Sequence, residues 1–383
     1  MNGKKVIIGL SGGVDSSVAA ALLIEQGYEV HGVYLECYNE PGCRTDQDKA
    51  DALKVAIKLG IPFQVLDFRK EYREKVVEYF YREYEAGRTP NPDVMCNREI
   101  KFGIFYDWAL RPAQGLRRYD YVATGHYCRV ATYKESPRRD LQGDSFMIQR
   151  ARDESKDQSY FLWQIPQNHL EHILFPLGDM LKSEVREKAK KLELATAEKP
   201  DSMGICFIGE VNVNELLKKR LGEKPGDVVM MIRSELGKQS SDLCTIGAHR
   251  GLWFYTIGER GGFEVDKKKL KMMGLHPEKM GPLYVIGKNK TLNQLVVGER
   301  EETMRWEFEF NSQFINSQIL KSEKKLWARI RNLGELTEVE SVISSSNGEM
   351  SVRLKDKIFG IAEGQSCVFY DEDKVLVGGG IIV

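Results

Sequence analysis

The stretch Val6-Ile7-Ile8-Gly9-Leu10-Ser11-Gly12-Gly13-Val14-Asp15-Ser16-Ser17 decides the fold of this 383-residue chain. An apolar run typical of a buried strand leads directly into a loop of small residues, and the segment 17–26 (SVAAALLIEQ) then has the composition of a helix. Small residues let backbone N–H groups approach phosphate oxygens, and a helix N-terminus adds its dipole to the same anion site. The sequence therefore predicts a strand, loop and helix that bind a nucleotide.

The loop is not of the Walker type. That motif needs a lysine beside the β- and γ-phosphates, whereas Asp15 stands in this loop. An acidic side chain beside phosphates indicates a shared Mg²⁺ ion. The loop resembles the SGGxDS signature of the PP-loop ATP pyrophosphatases, which split ATP into AMP and pyrophosphate while they adenylate a substrate oxygen. The resemblance implies that ATP contacts Gly9, Leu10, Ser11, Gly12, Gly13, Val14, Asp15, Ser16 and Ser17.

Composition sets the broad class. The chain is 42% hydrophobic and 29% charged, which is ordinary for a globular protein of two or three domains. Its 56 basic and 56 acidic residues cancel, so binding to nucleic acid requires a local basic surface. We expect no membrane span and a cytoplasmic location, because no apolar stretch approaches about 20 residues and no signal peptide precedes the first strand. Seven cysteines without close pairing are not typical of a secreted disulfide scaffold.

The order of patterns predicts an α/β fold with a parallel, doubly wound PP-loop sheet in residues 1–215. A small, mixed, β-rich central domain in 216–300 and a C-terminal β-barrel in 301–383 are expected to follow. The first sheet rests on apolar runs that alternate with amphipathic segments: Val6–Leu10, Glu29–Leu35, Phe63–Asp67 and Tyr121–Thr124. Residues 166–200 are predicted to be helical, Gly251–Ile257 to be a strand, and Lys267–Lys271 to be a solvated loop.

Two cysteines stand in loop-like sequence. Cys96 follows the turn Pro90-Asn91-Pro92 and lies three residues after Asp93, and Cys206 lies in KPDSMGICFIG (199–209). Each is a weak signal alone, because an isolated cysteine is more often a small core residue. That interpretation is the one we give to three others: Cys128, Cys244 and Cys367.

Taken in order along the chain, seven further segments resemble the tRNA-specific 2-thiouridylases, which exchange the 2-oxygen of the wobble uridine for sulfur. They are GRTPNPDVMCNREIKFG (87–103), ATGHYCRV (123–130), KDQSYFL (156–162), KPDSMGICFIG (199–209), HRGLWFYTIGERGGF (249–263), GQSCVFY (364–370) and GGGII (378–382). The resemblance covers almost the whole chain. It implies ATP and Mg²⁺ as cofactors, tRNA with a wobble uridine as substrate, and a sulfur donor such as a cysteine desulfurase or a sulfur-relay protein.

The resemblance also implies roles for residues. Cys206 would carry a persulfide, Cys96 would attack it and leave a Cys96–Cys206 disulfide, and Asp93 would act as acid or base. Leu35 would contact adenine, and Gly125 would lie at the nucleotide. Contacts with the tRNA would come from Asn91, Pro92, Asp93, His126, Lys156, Asp157, Gln158, Arg329, Ile330 and Gln365.

Alternatives remain at this stage. Asp93, Cys96 and Cys206 are also compatible with an iron–sulfur cluster, although they offer only three ligands. An amidating or lysidine-type ligase of the PP-loop superfamily would share the ATP loop but has no use for two loop cysteines. The sequence also departs from the family pattern at Glu259, where glutamine is usual, and at Glu363, where proline is usual.

Overall fold

The structure is a computed structural model that describes residues 3–39, 45–111, 118–133, 145–201, 212–233, 239–315, 325–344 and 349–383. Cys43 and Cys206 lie outside the described residues. No helix in the described part of the chain is long and apolar enough to cross a membrane.

Seven strands belong to the N-terminal part of the chain: β1 (Lys5–Gly9), β2 (Glu29–Glu36), β3 (Phe63–Asp67), β4 (Tyr121–Ala123), β5 (Cys128–Tyr133), β6 (Ser145–Arg150) and β7 (Ile173–Leu174). Five of them form one parallel sheet in the order β3-β2-β1-β4-β7, and β5 and β6 form an antiparallel hairpin. Helices surround this sheet: α1 (Val14–Glu25), α2 (Thr45–Leu59), α3 (Arg69–Tyr72), α4 (Glu78–Glu85), α5 (Pro92–Cys96), α6 (Phe105–Leu110) and α7 (Lys182–Lys191). Segments Arg73–Val77 and Asn97–Ile104 are π-helical, and Ser159–Phe161 and Gln167–His172 are 3₁₀ turns.

The centre of strand β1, Val6 to Ile8, is apolar because both faces of its sheet are covered. Ile7 packs into one hydrophobic core, while Val6 and Ile8 pack into a second core on the opposite face, and all three are fully buried. Helices on both faces are the usual arrangement for a parallel sheet. The carboxyl end of this central strand therefore delivers the glycine loop to the edge where ligands bind in such sheets.

The middle part of the chain is a five-stranded sheet in the order β10-β9-β8-β12-β11. Its elements are α8 (Val213–Leu221), β8 (Gly226–Arg233), β9 (Gln239–His249), β10 (Glu264–Val265), α9 (Lys267–Met272), β11 (Tyr284–Asn289) and β12 (Gln294–Gly298), with 3₁₀ turns at Leu252–Phe254 and Arg300–Thr303.

Three sequence predictions in these regions were wrong. Gly251–Ile257 is not a strand. Leu252 and Phe254 are buried, but they belong to a 3₁₀ turn that follows Gly251, whose φ is 151°. Lys267–Lys271 is not a loop but lies in helix α9. Residues 166–200 are helical only in part, since a 3₁₀ turn and strand β7 precede α7.

The C-terminal part is a closed six-stranded barrel in the order β13-β16-β15-β14-β17-β18. Its strands are β13 (Met304–Ile315), β14 (Trp327–Arg329), β15 (Thr337–Ser344), β16 (Met350–Phe359), β17 (Ser366–Tyr370) and β18 (Leu376–Ile382). The barrel packs on the first domain, where the Trp163 indole donates to the Ser366 hydroxyl at 3.0 Å. A side chain at Gly379 would meet the Trp163 ring at 2.8 Å, which explains a glycine in this strand. The predicted fold class is confirmed.

Candidate active site at the glycine loop

Small residues allow the glycine loop to pack closely against α2 and to form hydrogen bonds within itself. Gly12 has φ of 72°, and a Cβ there would lie 2.2 Å from the backbone oxygen of Asp48 in α2. The Ser17 hydroxyl donates to the carbonyl of Gly13 at 2.7 Å, and α1 begins at Val14, three residues earlier than predicted. The helix therefore starts within the loop itself, and its dipole acts on the anion site.

The end of strand β4 lies against this loop. A Cβ at Gly125 would stand 2.7 Å from the backbone nitrogen of Ser16 and 2.9 Å from the carbonyl carbon of Asp15. Only glycine allows this approach. The structure thus brings Gly125 and the loop together, as the sequence resemblance implied.

The Asp15 carboxylate is held by two side chains that the sequence reasoning missed. Lys182, the first residue of α7, donates to both oxygens of Asp15 at 2.6 and 2.8 Å, and the Tyr127 hydroxyl donates at 2.7 Å. The same lysine lies 2.8 Å from Asp201. Lys182 therefore joins the glycine loop to the segment that leads to Cys206.

Asp201 forms ion pairs with two further basic side chains. Lys156 lies 2.8 Å and Arg186 2.5 Å from its carboxylate. Partial burial would raise the pKa of Asp201, but hydrogen bonds from Lys156 and Lys182 outweigh it and hold that pKa well below its ordinary value. The carboxylate is thus ionised at any physiological pH. Three cationic side chains, Lys156, Lys182 and Arg186, surround it next to the glycine loop.

Lys199 fixes the loop from another side. Its ammonium group donates to the carbonyl of Gly12 at 2.8 Å, to Asp48 at 2.8 Å and to Asp51 at 2.7 Å. These bonds tie the loop to α2 and to the chain just before Cys206. Lys182 carries no sequence signal of its own, because it is one of several lysines in a charged stretch, whereas Lys199 is the first residue of the segment KPDSMGICFIG but was given no role.

Cys96 closes the short helix α5. Pro92 occupies the first helical position, and the Asn91 side chain caps the helix by accepting from the Val94 N–H at 3.2 Å. Asp93 and Cys96 are three residues apart and so lie on the same face of the helix. Cys96 is a fully buried thiol.

His126 follows Gly125, which lies against the loop, and contacts the helical segment after Cys96. Its Nε2 lies 3.3 Å from the Lys101 ammonium group, five residues beyond Cys96, and its Nδ1 lies 2.8 Å from the Thr124 hydroxyl. Burial, reinforced by the charge of Lys101, lowers the pKa of His126 well below its ordinary value. The imidazole is therefore neutral at pH 7.

Comparison of the chain with known proteins identifies its family. Family models match residues 4–210 (tRNA methyl transferase HUP domain), 214–299 (tRNA methyl transferase PRC-barrel domain) and 306–382 (aminomethyltransferase beta-barrel domain). The tRNA-specific 2-thiouridylase MnmA of Oceanobacillus iheyensis is 41% identical over 389 residues, covering 99% of this chain and 94% of that protein. The corresponding protein of Bacillus subtilis is 39% identical over 386 residues, covering 98% and 94%. The chain belongs to the tRNA-specific 2-thiouridylase family. The family resemblance stated from the sequence is confirmed.

Among solved structures, the chain is similar to a 4-thiouridine synthetase–RNA complex with bound ATP. The match covers 56% of this chain and 49% of the synthetase chain. Its TM-score is 0.34 at 18% identity. That likeness is too remote to support a functional argument.

The residues that the 2-thiouridylase resemblance assigned to tRNA lie in different environments. Gln158 accepts from the Tyr127 N–H at 3.0 Å, beside the loop. Asp157 is fully buried, where it accepts from Arg150 at 3.2 Å and from Arg329 at 2.7 Å. Arg329 is itself buried, so this ion pair joins the barrel to the first domain. A contact of either residue with tRNA stays a prediction.

Gln365 lies at the junction of the 2-thiouridylase domains. Its amide donates to the carbonyl of Thr89 at 2.9 Å and to that of Pro90 at 3.3 Å, just before Asn91. Lys288 of the middle domain donates to the Gly87 carbonyl at 2.9 Å. Both later domains therefore hold the loop that leads into α5, the helix that carries Asp93 and Cys96.

The two departures from the family pattern are accommodated locally. Glu363 accepts from the Thr89 N–H through its carbonyl at 2.8 Å, and its carboxylate pairs with Lys290 at 3.2 Å. Glu259 is half-buried, and its carboxylate accepts from the Thr256 N–H at 2.9 Å. Burial raises the pKa of Glu259.

Proposed function

We propose that this protein is a tRNA 2-thiouridylase, which adenylates O2 of a wobble uridine and replaces that oxygen with sulfur to give 2-thiouridine, AMP and pyrophosphate. The observation that carries the proposal is that the nucleotide-binding loop and the segment that carries Cys96 lie close together. Gly125 lies against Ser16 of the ATP loop, and its neighbour His126 contacts Lys101 on the helix that follows Cys96. Membership of the 2-thiouridylase family supports this function over a nitrogen-transferring ligase of the same superfamily.

In the first step the uridine O2 attacks the α-phosphorus of ATP, and pyrophosphate leaves. The N–H groups of the glycine loop and the ammonium group of Lys182 would stabilise the negative charge of the departing pyrophosphate. The Asp15 carboxylate is a hard oxygen ligand of the kind that holds Mg²⁺ together with phosphates. When bound, Mg²⁺ would neutralise part of the phosphate charge. Leu35, buried at the end of β2, is proposed to contact the adenine.

In the second step sulfur displaces AMP. The terminal sulfur of a Cys206 persulfide attacks C2 of the uridine, and the C2–O bond to AMP breaks. The Cys96 thiolate then attacks the Cys206 Sγ, the sulfur–sulfur bond of the persulfide breaks, and the sulfur stays on the base. A Cys96–Cys206 disulfide remains, which a cellular thiol reductant returns to two thiols. Asp93 would move the protons at the base or thiol.

The finer assignments complete the proposal. The target base is expected to leave its stack in order to expose C2. A persulfide donor of the cysteine desulfurase or sulfur-relay type would load Cys206, and the reaction would take place in the cytoplasm. Domain boundaries near residues 215 and 300 are supported by the separate sheets of the described residues. The proposed contacts with tRNA are Asn91, Pro92, Asp93, His126, Lys156, Asp157, Gln158, Arg329, Ile330 and Gln365.

Nucleoside mass spectrometry tests this function. Unmodified tRNA with a wobble uridine is incubated with the protein, Mg-ATP and a persulfide source. We expect one oxygen of the wobble uridine to be replaced by sulfur, and we expect no such product with Cys206→Ser. Pyrophosphate release that depends on tRNA but gives no sulfur would contradict thiolation and favour nitrogen transfer.

A second prediction concerns the contact between β4 and the loop. Gly125→Ala places a methyl group 2.7 Å from the Ser16 nitrogen and so displaces the loop backbone. A shift of about 1 Å in a catalytic site costs about 100-fold in rate, and we expect a loss of this size in tRNA-dependent pyrophosphate release. Gly281→Ala is the control, because a Cβ there meets no atom within 4 Å. Equal rates for both variants would show that the loop does not depend on this contact.

A further inference from the structure

The segment 260–279 carries a local excess of positive charge. It contains six basic and three acidic residues, whereas the whole chain has 56 of each. Four of the six are exposed lysines of helix α9, namely Lys267, Lys268, Lys269 and Lys271. We propose that these four lysines bind the phosphate backbone of the substrate tRNA, outside the site where sulfur is transferred. The inference rests on the proposed function and deepens it by naming a binding surface.

Helix α9 is held in place, so its lysines project from a fixed support. The Asp266 carboxylate caps the helix by accepting from the N–H groups of Lys268 at 2.9 Å and Lys269 at 3.1 Å. Leu270 is 1% exposed and packs into the hydrophobic core of the middle domain. A fixed lysine array loses less conformational freedom on binding than a mobile loop does.

A second basic helix shows what is unusual about α9. In α7, Lys188 pairs with Glu25 at 2.7 Å, Lys190 with Glu198 at 3.1 Å, and Lys191 with Glu187 at 2.8 Å. Among the described residues, by contrast, no carboxylate oxygen lies within 4 Å of any of the four α9 ammonium groups. At longer range, Lys268 and Lys269 interact electrostatically with the carboxylate of Asp266, and Lys271 interacts with that of Glu278. The α7 charges are neutralised within the protein, and the α9 charges face solvent.

The chemistry of this surface fits a polyanion. Lysine ammonium groups are point charges that contact phosphate oxygens without reading bases. Four of them lie on less than two helical turns, so their positive charges are concentrated on a small part of the surface. The surface is therefore expected to strengthen tRNA binding without affecting which uridine is modified.

Binding as a function of salt tests the inference. The probe is an unmodified tRNA transcript, with binding followed by fluorescence anisotropy from low to physiological salt. The variant replaces Lys267, Lys268, Lys269 and Lys271 by alanine. Each phosphate contact contributes about 0.7 to 0.9 to the slope of log Kd against log salt, so we expect the slope to fall by about 3 and Kd at low salt to rise at least about tenfold. The thiolation rate at saturating tRNA should not change.

The matched control removes four lysines that already have acidic partners: Lys188, Lys190, Lys191 and Lys218, the last of which pairs with Glu223 at 2.9 Å. This control should keep nearly the full salt slope. An unchanged slope in the α9 variant, or an equal loss in the control, would overturn the assignment, and an acidic protein partner would then be the better candidate for this face. If the unaltered protein neither binds nor thiolates the tRNA, the proposed function fails as well, so the two failures are distinguishable.

Discussion

Cys96→Ser is expected to abolish the formation of 2-thiouridine, with a loss of at least about 1,000-fold, the scale seen when a catalytic nucleophile is removed. A serine hydroxyl cannot attack the persulfide and form the disulfide that releases sulfur to the base. Adenylation uses the glycine loop instead, so pyrophosphate release that depends on tRNA should stay within a few-fold of the unaltered protein. The two products, 2-thiouridine and pyrophosphate, are measured in the same reaction.

Cys128→Ser is the matched control for this variant. Both thiols are fully buried, so both variants place a hydroxyl in an apolar environment. Burial raises the pKa of Cys128 well above its ordinary value, and the proposed mechanism gives this thiol no role. We expect Cys128→Ser to lose stability but to keep thiolation per folded molecule. Normal thiolation by Cys96→Ser would exclude Cys96 from sulfur transfer, whereas loss of both products in that variant alone would indicate a structural role.

The sequence predicted those parts of the site that depend on backbone geometry. A glycine-rich loop after an apolar strand has few conformations, and the positive φ of Gly12 and the close approach of Gly125 both require glycine. The parallel sheet could be predicted because buried parallel strands have a distinct apolar pattern, whereas the order of its strands was not predicted. Helix α5 was not predicted, because the sequence Pro90-Asn91-Pro92 indicated a turn and a loop, although its Asn91 cap and Pro92 at the first position follow local rules.

The charge network could not be predicted, because it depends on side chains that come together only in the fold. Lys182 and Asp15 are 167 residues apart along the chain, and Lys199 reaches Asp48 across 151. Asp157 and Arg329 belong to different domains, so their buried ion pair gives no signal in either segment. Helix α9 was missed for a local reason, since a lysine-rich run has no apolar period beyond the single anchor Leu270.

The contacts around residues 87–91 show why the later domains matter to the chemistry. Thr89 is bonded through its N–H to Glu363, through its carbonyl to Gln365 and through its hydroxyl to Thr256 at 3.2 Å. The loop before Cys96 is thus fixed by the middle domain and the barrel together. All three domains therefore contribute to the position of this one loop.

Lys182→Met is the second substitution for which we expect a large effect. Methionine is close to lysine in length but uncharged, so the variant removes the ammonium group that contacts Asp15 and Asp201 and keeps most of the packing. Loss of one charged donor at a site of developing negative charge costs about 100- to 1,000-fold in rate. We therefore expect pyrophosphate release that depends on tRNA to fall by that factor, and thiolation to fall with it.

Lys188→Met provides the control, because Lys188 lies on the same helix and also has an acidic partner, Glu25 at 2.7 Å. It should leave both products unchanged. The result for Lys182→Met separates two roles that the geometry joins in one side chain. If thiolation falls while pyrophosphate release is kept, Lys182 acts through Asp201 on the segment that carries Cys206 and not on the phosphates of ATP. A parallel fall of both products places it at the adenylation step, because sulfur can replace the oxygen only after that oxygen has been activated.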